Sequence, residues 1–290
     1  MKGLADEFWT VAKETVTAWI NDNAPSMGAA IAYYTLFSIA PLLIIATAIA
    51  GLFFGEEAAR GEIFERVRGV LGQEAALAIQ GLVKSASAPA ESFLTLLTGI
   101  IAMMIGATAV FAELQSAMDR IWRLPVDEQA SGILETIRAR LLPLAMVLAV
   151  AFLLLLSLMV SAAISALGAL WSALFGGWEL VLQIVNIVVS VVLMTGIFAM
   201  IYRFLPRVNV SWSDVWMGAA ITALLFVVGN FFIGLYIGKS GVASSFGAAG
   251  AFVALLVWVY YSAQVFLLGA EFTRIHAHRL GAQRTEKRES

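Results

Sequence analysis

The chain has no cysteine, which excludes a disulfide framework, a thiol nucleophile and any cysteine-ligated metal. It has two histidines, His276 and His278. Two residues apart on a helix, they point about 200° away from each other. They therefore cannot make the one-face pair that i,i+4 spacing gives, and beside Arg274 and Arg279 they fit a basic membrane-surface patch. Charge is also scarce. Only 13% of the 290 residues are Asp, Glu, Lys or Arg, about half the share of a soluble domain. A net charge of −2 gives no electrostatic case for a nucleic-acid partner. A metal-dependent nuclease holds its ions with clustered carboxylates and histidines, and no such cluster is visible. Nor is there a GxSxG elbow, a phosphate-binding loop or a paired-carboxylate motif. These absences argue against an enzyme, a cofactor and a resident metal.

What the chain does have is apolar length: 61% of its residues are hydrophobic. The first long run is Ala29–Phe54, and Phe93–Ala112, Leu141–Leu167, Leu180–Tyr202, Val215–Ile237 and Gly247–Ala270 follow. About 20 apolar residues make one helix across roughly 30 Å of hydrocarbon. Backbone amides in lipid must pair within their own segment, so such runs become helices. The expected fold is an all-α integral membrane protein, a bundle of six transmembrane helices. The spans fall at about 29–54, 93–115, 141–167, 179–203, 213–238 and 247–271, within a domain of residues 25–272.

Residues 1–24 form a separate unit. Leu4, Phe8, Val11, Thr15 and Trp19 recur at helical spacing, with Asp6, Glu7, Lys13 and Glu14 on other faces. This is the pattern of an amphipathic helix lying on a membrane. Asn21 to Pro25 should end it, with Ser26 capping the next helix. The start lacks the order of a cleaved signal peptide, so the first span reads as a retained anchor. Between the first two spans, 55–92 reads as a short external cap of two amphipathic helices, on the stripes Ile63, Phe64, Val67, Val70, Leu71 and Leu77, Ala78, Gly81, Leu82. Residues 273–290 read as a charged cytoplasmic tail, mobile from Gly281.

Basic residues set the orientation. Of the 18 Lys and Arg, thirteen lie before the first span, after the second, after the fourth and after the sixth; five lie on the other side. Cytoplasmic segments carry that excess, so both termini should be cytoplasmic. No Lys or Arg lies between Leu141 and Tyr202, which puts the turn at Gly176 outside.

Polar groups inside the spans are the functional candidates, because hydrocarbon makes an unpaired one costly. Gln183, Asn186 and Ser190 share one helix face, Asn230 lies mid-span in the fifth helix and Gln264 in the sixth. They suit either a polar cavity or hydrogen bonds between helices. Glu113, Arg138, Arg140 and Glu271 all map to cytoplasmic helix ends, as an ionic latch or as single solvated charges, with Arg274 a further partner for Glu271 at i+3. Pro41 suggests a hinge or kink in the first span. Gly234 with Gly238, and Gly247 with Gly250, mark close helix packing or a mobile outer gate. Tyr33 and Tyr34 suit an interfacial aromatic belt, with one of the two turned inward.

Several stretches together resemble the YihY/BrkB family of bacterial inner-membrane proteins, once labelled ribonuclease BN. These are Ala32 to Leu43 (AYYTLFSIAPLL, holding Tyr33 and Tyr34), Tyr202-Arg203-Phe204-Leu205-Pro206, Phe246-Gly247-Ala248-Ala249-Gly250 and Leu267-Leu268-Gly269-Ala270-Glu271-Phe272. The resemblance implies six spans in the inner membrane and relatives linked to serum resistance and to lipid movement. Three readings of function stay open: a transporter or flippase of a lipid or amphipathic envelope component, an ion channel or ion-coupled carrier, and a non-transporting envelope scaffold. Membrane lipids are the expected partners, and a homo-oligomer is left open.

The orientation is directly testable. Single cysteines at Lys2, Gly176 and Ser290, in a chain with none of its own, should react with an impermeant thiol reagent from outside only at Gly176. External labelling of either terminus would overturn the six-span arrangement.

Overall fold

The computed structural model describes residues 2–55, 57, 60–61, 64–65, 68, 76–77, 80–81, 83–84, 109–124, 179–208, 210–240 and 250–289. The third span, most of the second and most of the external cap lie outside them, as do Arg138, Arg140 and Gly247. Within the helices, Pro41, Gln183, Asn186, Asn230, Gly234 and Gly238 are described as backbone only. Among the described residues all regular structure is helical: α1 (Lys2–Asn21), α2 (Ala24–Phe54), α3 (109–121), α4 (Glu179–Phe204), α5 (Trp212–Ser240) and α6 (Gly250–Glu289). Helices α4, α5 and α6 each contain a stretch long and apolar enough to cross a membrane. Helix α2 runs unbroken through Pro41 and has no charged residue in its 31 positions.

Two turns set the ends of the helices. Between α1 and α2, Asn23 takes the left-handed conformation, φ 59°, which Asn tolerates better than most side chains. Pro25 then sits in the first turn of α2, where its missing N–H costs nothing. Ser26 is not the cap expected of it. Asn23 holds that position, and the Ser26 hydroxyl donates to Asn23 Oδ1 at 3.2 Å. After α3, Leu124 N–H reaches back to Asp119 O and Arg123 N–H to Arg120 O, both at 3.0 Å, a Schellman closure with Arg123 left-handed at φ 55°. Gly usually fills that position, since any Cβ there is strained.

Helix α6 continues to Glu289, so the segment from Gly281, expected to be mobile, is helical. Its Ala, Gln, Arg, Glu and Lys are strong helix formers, and a helix already nucleated upstream extends at little cost.

The larger core cluster buries Met27, Ile31, Met118, Ile121, Leu205, Val215, Ala219 and Leu267 together, and a second, between α2 and α6, gathers Ala32, Leu255 and Val259 with Leu36, Leu43 and Trp258. Helix α5 packs on α4 and α6, α6 on α2, and α1 on α6. Helix α4 exposes Ile184, Ile187, Val188 and Val192, and α5 exposes Leu224, Val228 and Phe232. Exposed aliphatic faces of that size suit contact with lipid.

The α5–α6 contact is built from two interlocked Gly-x-x-x-Thr pairs. Thr222 packs over Gly269 and Thr273 over Gly218. Each hydroxyl is satisfied on its own helix, Thr222 to Gly218 O and Thr273 to Gly269 O, both at 2.7 Å. Helix α4 joins through the buried Tyr202 hydroxyl, which donates to Phe266 O at 2.7 Å and lies 3.0 Å from Thr222 Oγ1. Small residues let helix backbones approach this closely.

A methyl group at Gly269 would overlap the hydroxyls of Thr222 and Tyr202. Gly269→Ala should cost about 1–3 kcal/mol in detergent unfolding, the range for overpacking. Gly196→Ala is the control: nothing lies within 4 Å of that site, and removing a mid-helix glycine should gain up to about 1 kcal/mol.

Candidate functional site

At one end of the bundle, the α1–α2 turn, the turn after α3, the α4–α5 loop and α6 converge on a set of charges. Glu271 is completely buried. Its Oε2 accepts from Arg274 Nη2 at 2.9 Å and from Arg274 Nε at 3.2 Å. Arg274 is itself buried, and its Nη2 lies 4.0 Å from Asp22 Oδ2. Arg123 comes over Asp22 from the other side, Nη2 to Oδ1 at 3.6 Å; the left-handed turn aims that side chain there. Arg274 thus bridges α6 to the base of α1.

A second pair ties α3 to the α4–α5 loop. Asp119 accepts the backbone N–H of Arg207 at 3.2 Å and faces its guanidinium at 3.4 Å. Burial raises the Asp119 pKa above the usual carboxylate range, with the Arg207 N–H and charge opposing it in part. Folding therefore favours its protonated form, and this group adds stability as pH falls. Nearby, Gln115 Nε2 donates to Leu205 O at 3.3 Å, and Arg203 donates to Val210 O. Glu14 and Arg279 close at 2.6 Å in a more exposed position.

Of the residues expected in a latch, Arg138 and Arg140 lie outside the described residues. Glu113 lines a cavity of about 210 Å³ between α2 and α3, with Ser26, Ser116 and Arg120, whereas Glu271 is held by Arg274 on its own helix. Of the polar-cavity set, Ser190 is half-buried and Gln264 crosses to α2. Its Nε2 lies 3.5 Å from both Ala24 O and Pro25 O, and it packs directly over Gly28. Gly250 and Pro206 are buried. Tyr33 and Tyr34 are both exposed, at 56% and 39%, so neither turns inward. The packed stripe of α2 is Ala24, Met27, Ile31 and Ala32, and both tyrosines fall on the remaining arc. Sequence reasoning overlooked Asp22, Arg123, Asp119 and Arg207. Each sits in a turn or at a helix end, where a charge reads as solvated.

Among the described residues three helices contain membrane-length apolar stretches, the architecture of a membrane protein. The profile of the family described as "Virulence factor BrkB" matches residues 15–290, and the chain belongs to that family. It is 30% identical, over 87% of its length, to a "UPF0761 membrane protein" of Tolumonas auensis, covering 80% of that relative. It is 26% identical to one of Psychrobacter sp. and 27% to one of Stenotrophomonas maltophilia, over 88% of the chain in each case. The chain spans about half the length of these last two, 46% and 58%. No solved structure matches.

The cluster separates buried from exposed pairing. Arg274→Gln removes the guanidinium from the completely buried Glu271 and should cost about 3–5 kcal/mol of stability in detergent. Arg279→Gln breaks only the exposed pair with Glu14 and should cost less than about 1 kcal/mol. Equal melting of the two variants would show that the cluster carries no load.

Proposed function

We propose that the protein spans the bacterial inner membrane six times, with both termini cytoplasmic, and moves a lipid or another amphipathic envelope component. The observation that supports this reading is the bare aliphatic face of the bundle: away from the charged end, α4 exposes Ile184, Ile187, Val188 and Val192 and α5 exposes Leu224, Val228 and Phe232. A space walled by such faces accepts an acyl chain more readily than a bare ion, whose desolvation needs many polar partners. Helix α1 fits an interfacial helix. Val11, Thr15 and Ala18 are buried, and Trp9, Val16 and Ile20 form an exposed stripe on the opposite side. That stripe is the one suited to the headgroup boundary. The exposed aromatics Phe204, Trp212 and Trp216, with ring centroids 5.8 and 6.3 Å apart in sequence, suit the same level.

A scaffold is the second reading, favoured by Gln264, which joins α6 to α2 rather than facing open space. The test is reconstitution. If Asn186 and Asn230 line a path, Asn186→Leu and Asn230→Leu should leave expression and melting nearly unchanged. They should also lower movement of fluorescent phospholipid in proteoliposomes by about tenfold or more, the loss of one polar contact to the moving group. Stability falling in step with activity would make both residues structural. Parent protein that moves neither lipid nor ion would leave the scaffold.

A further inference from the structure

The bonds made by Arg274 leave something over. A carboxylate has no hydrogen to give and only accepts, and a buried acceptor without a donor is costly. Glu271 has one oxygen on Arg274, while its Oε1 is buried without a hydrogen bond; Asp22 Oδ2, 4.0 Å from Arg274 Nη2, is buried without one as well. The two carboxyl groups face the same guanidinium nitrogen, Arg274 Nη2, and both are buried around it. The nearby cations are already engaged: Arg274 Nη2 is 2.9 Å from Glu271 and 4.0 Å from Asp22, and Arg123 approaches the other oxygen of Asp22. Helix α2 brings no charged side chain to this place. The remaining charged pairs around it, Glu14 with Arg279 and Asp119 with Arg207, are closed on themselves. His276 stacks on Phe272.

We propose that Asp22 and Glu271 share one hydrogen, a carboxylic acid donating to a carboxylate, and so form a proton-binding joint between the base of α1 and α6. The single hydrogen satisfies both orphaned oxygens at once, one as donor and one as acceptor. It also leaves one negative charge against the buried guanidinium of Arg274. Removing it sets two buried like charges side by side, an arrangement in which one of the pair resists ionisation. The ligand is the proton itself, and what it controls is the seating of α1.

Infrared difference spectroscopy on the full chain in lipid nanodiscs tests this at neutral pH. The parent should show the carbonyl stretch of a protonated carboxylic acid, shifting in D2O. Asp22→Asn and Glu271→Gln should each delete it, because the new amide supplies the missing N–H and the surviving carboxylate ionises. Asp119 is present in all three proteins and cancels in the difference. If Glu271→Gln fails to fold, Asp22→Asn alone decides. Difference spectra with carboxylate bands only, or an acid band that survives Asp22→Asn, would overturn the shared hydrogen. The joint has its own readout in a cysteine at buried Ala18, normalised to one at exposed Thr17. Raising pH from about 6 to about 9 should increase its labelling several-fold in the parent and leave it flat in Asp22→Asn. Flat labelling in the parent would refute control of α1.

Discussion

A hydroxyl or amide on a helix surrounded by hydrocarbon has no water to turn to, and the described structure follows from where such groups find partners. Thr15, Thr35, Thr195, Thr222, Ser262 and Thr273 all solve the problem locally, each hydroxyl donating to the carbonyl four residues back at 2.7–2.9 Å. That satisfies the hydroxyl hydrogen on its own helix, so the oxygens of Thr222 and Thr273 can lie directly over glycines of the facing helix. Tyr202 has no carbonyl of its own within reach. It crosses to α6 and in doing so fixes α4 to the α5–α6 pair. Gln264 does the same for α2, with weaker geometry. The helices are therefore joined by their few polar side chains, and aliphatic contact fills in around the joints.

Charge follows the same logic at higher stakes. Burying an ion costs several kcal/mol even after relaxation, so a completely buried Glu271 is tolerable only with a partner of fixed geometry. Arg274 supplies two donors one helical turn away. Both residues come from the same helix, so the pair is local, and Asp22 and Arg123 approach it from the two neighbouring turns. The fold keeps these groups together where the apolar run of α6 has finished.

Much of the helical framework could be read from the residues. The expected spans 179–203 and 213–238 differ from α4 and α5 by no more than two residues at either end, because composition changes abruptly there. The break at Asn21 to Pro25 was legible for the same reason. The close contacts were not. Gly234, Gly238, Gly247 and Gly250 stood out because they cluster, whereas Gly218 and Gly269 are solitary in sequence and become a pair only when two antiparallel helices set them in register. Glu271 was singled out, with Arg274 as its partner, but the approach of Asp22 was opaque for a related reason. Asp22 and Glu271 are 249 positions apart, and nothing in local periodicity distinguishes a carboxylate facing water from one facing a buried guanidinium. Tyr33 and Tyr34 show the opposite error. Adjacency suggested opposite fates, but the arc α2 leaves free is wide enough for both.

The α5–α6 contact has a mechanical consequence, because it does not end at the interlocked threonines. Farther along, the Tyr261 hydroxyl lies over Gly229 and Phe226 meets Trp258 edge-on, with ring centroids 6.1 Å apart. With a rise of about 1.5 Å per residue, Gly218 and Gly229 stand roughly 16 Å apart along α5. A rod pinned at two separated points cannot swing about either one, so α5 and α6 move as a single body.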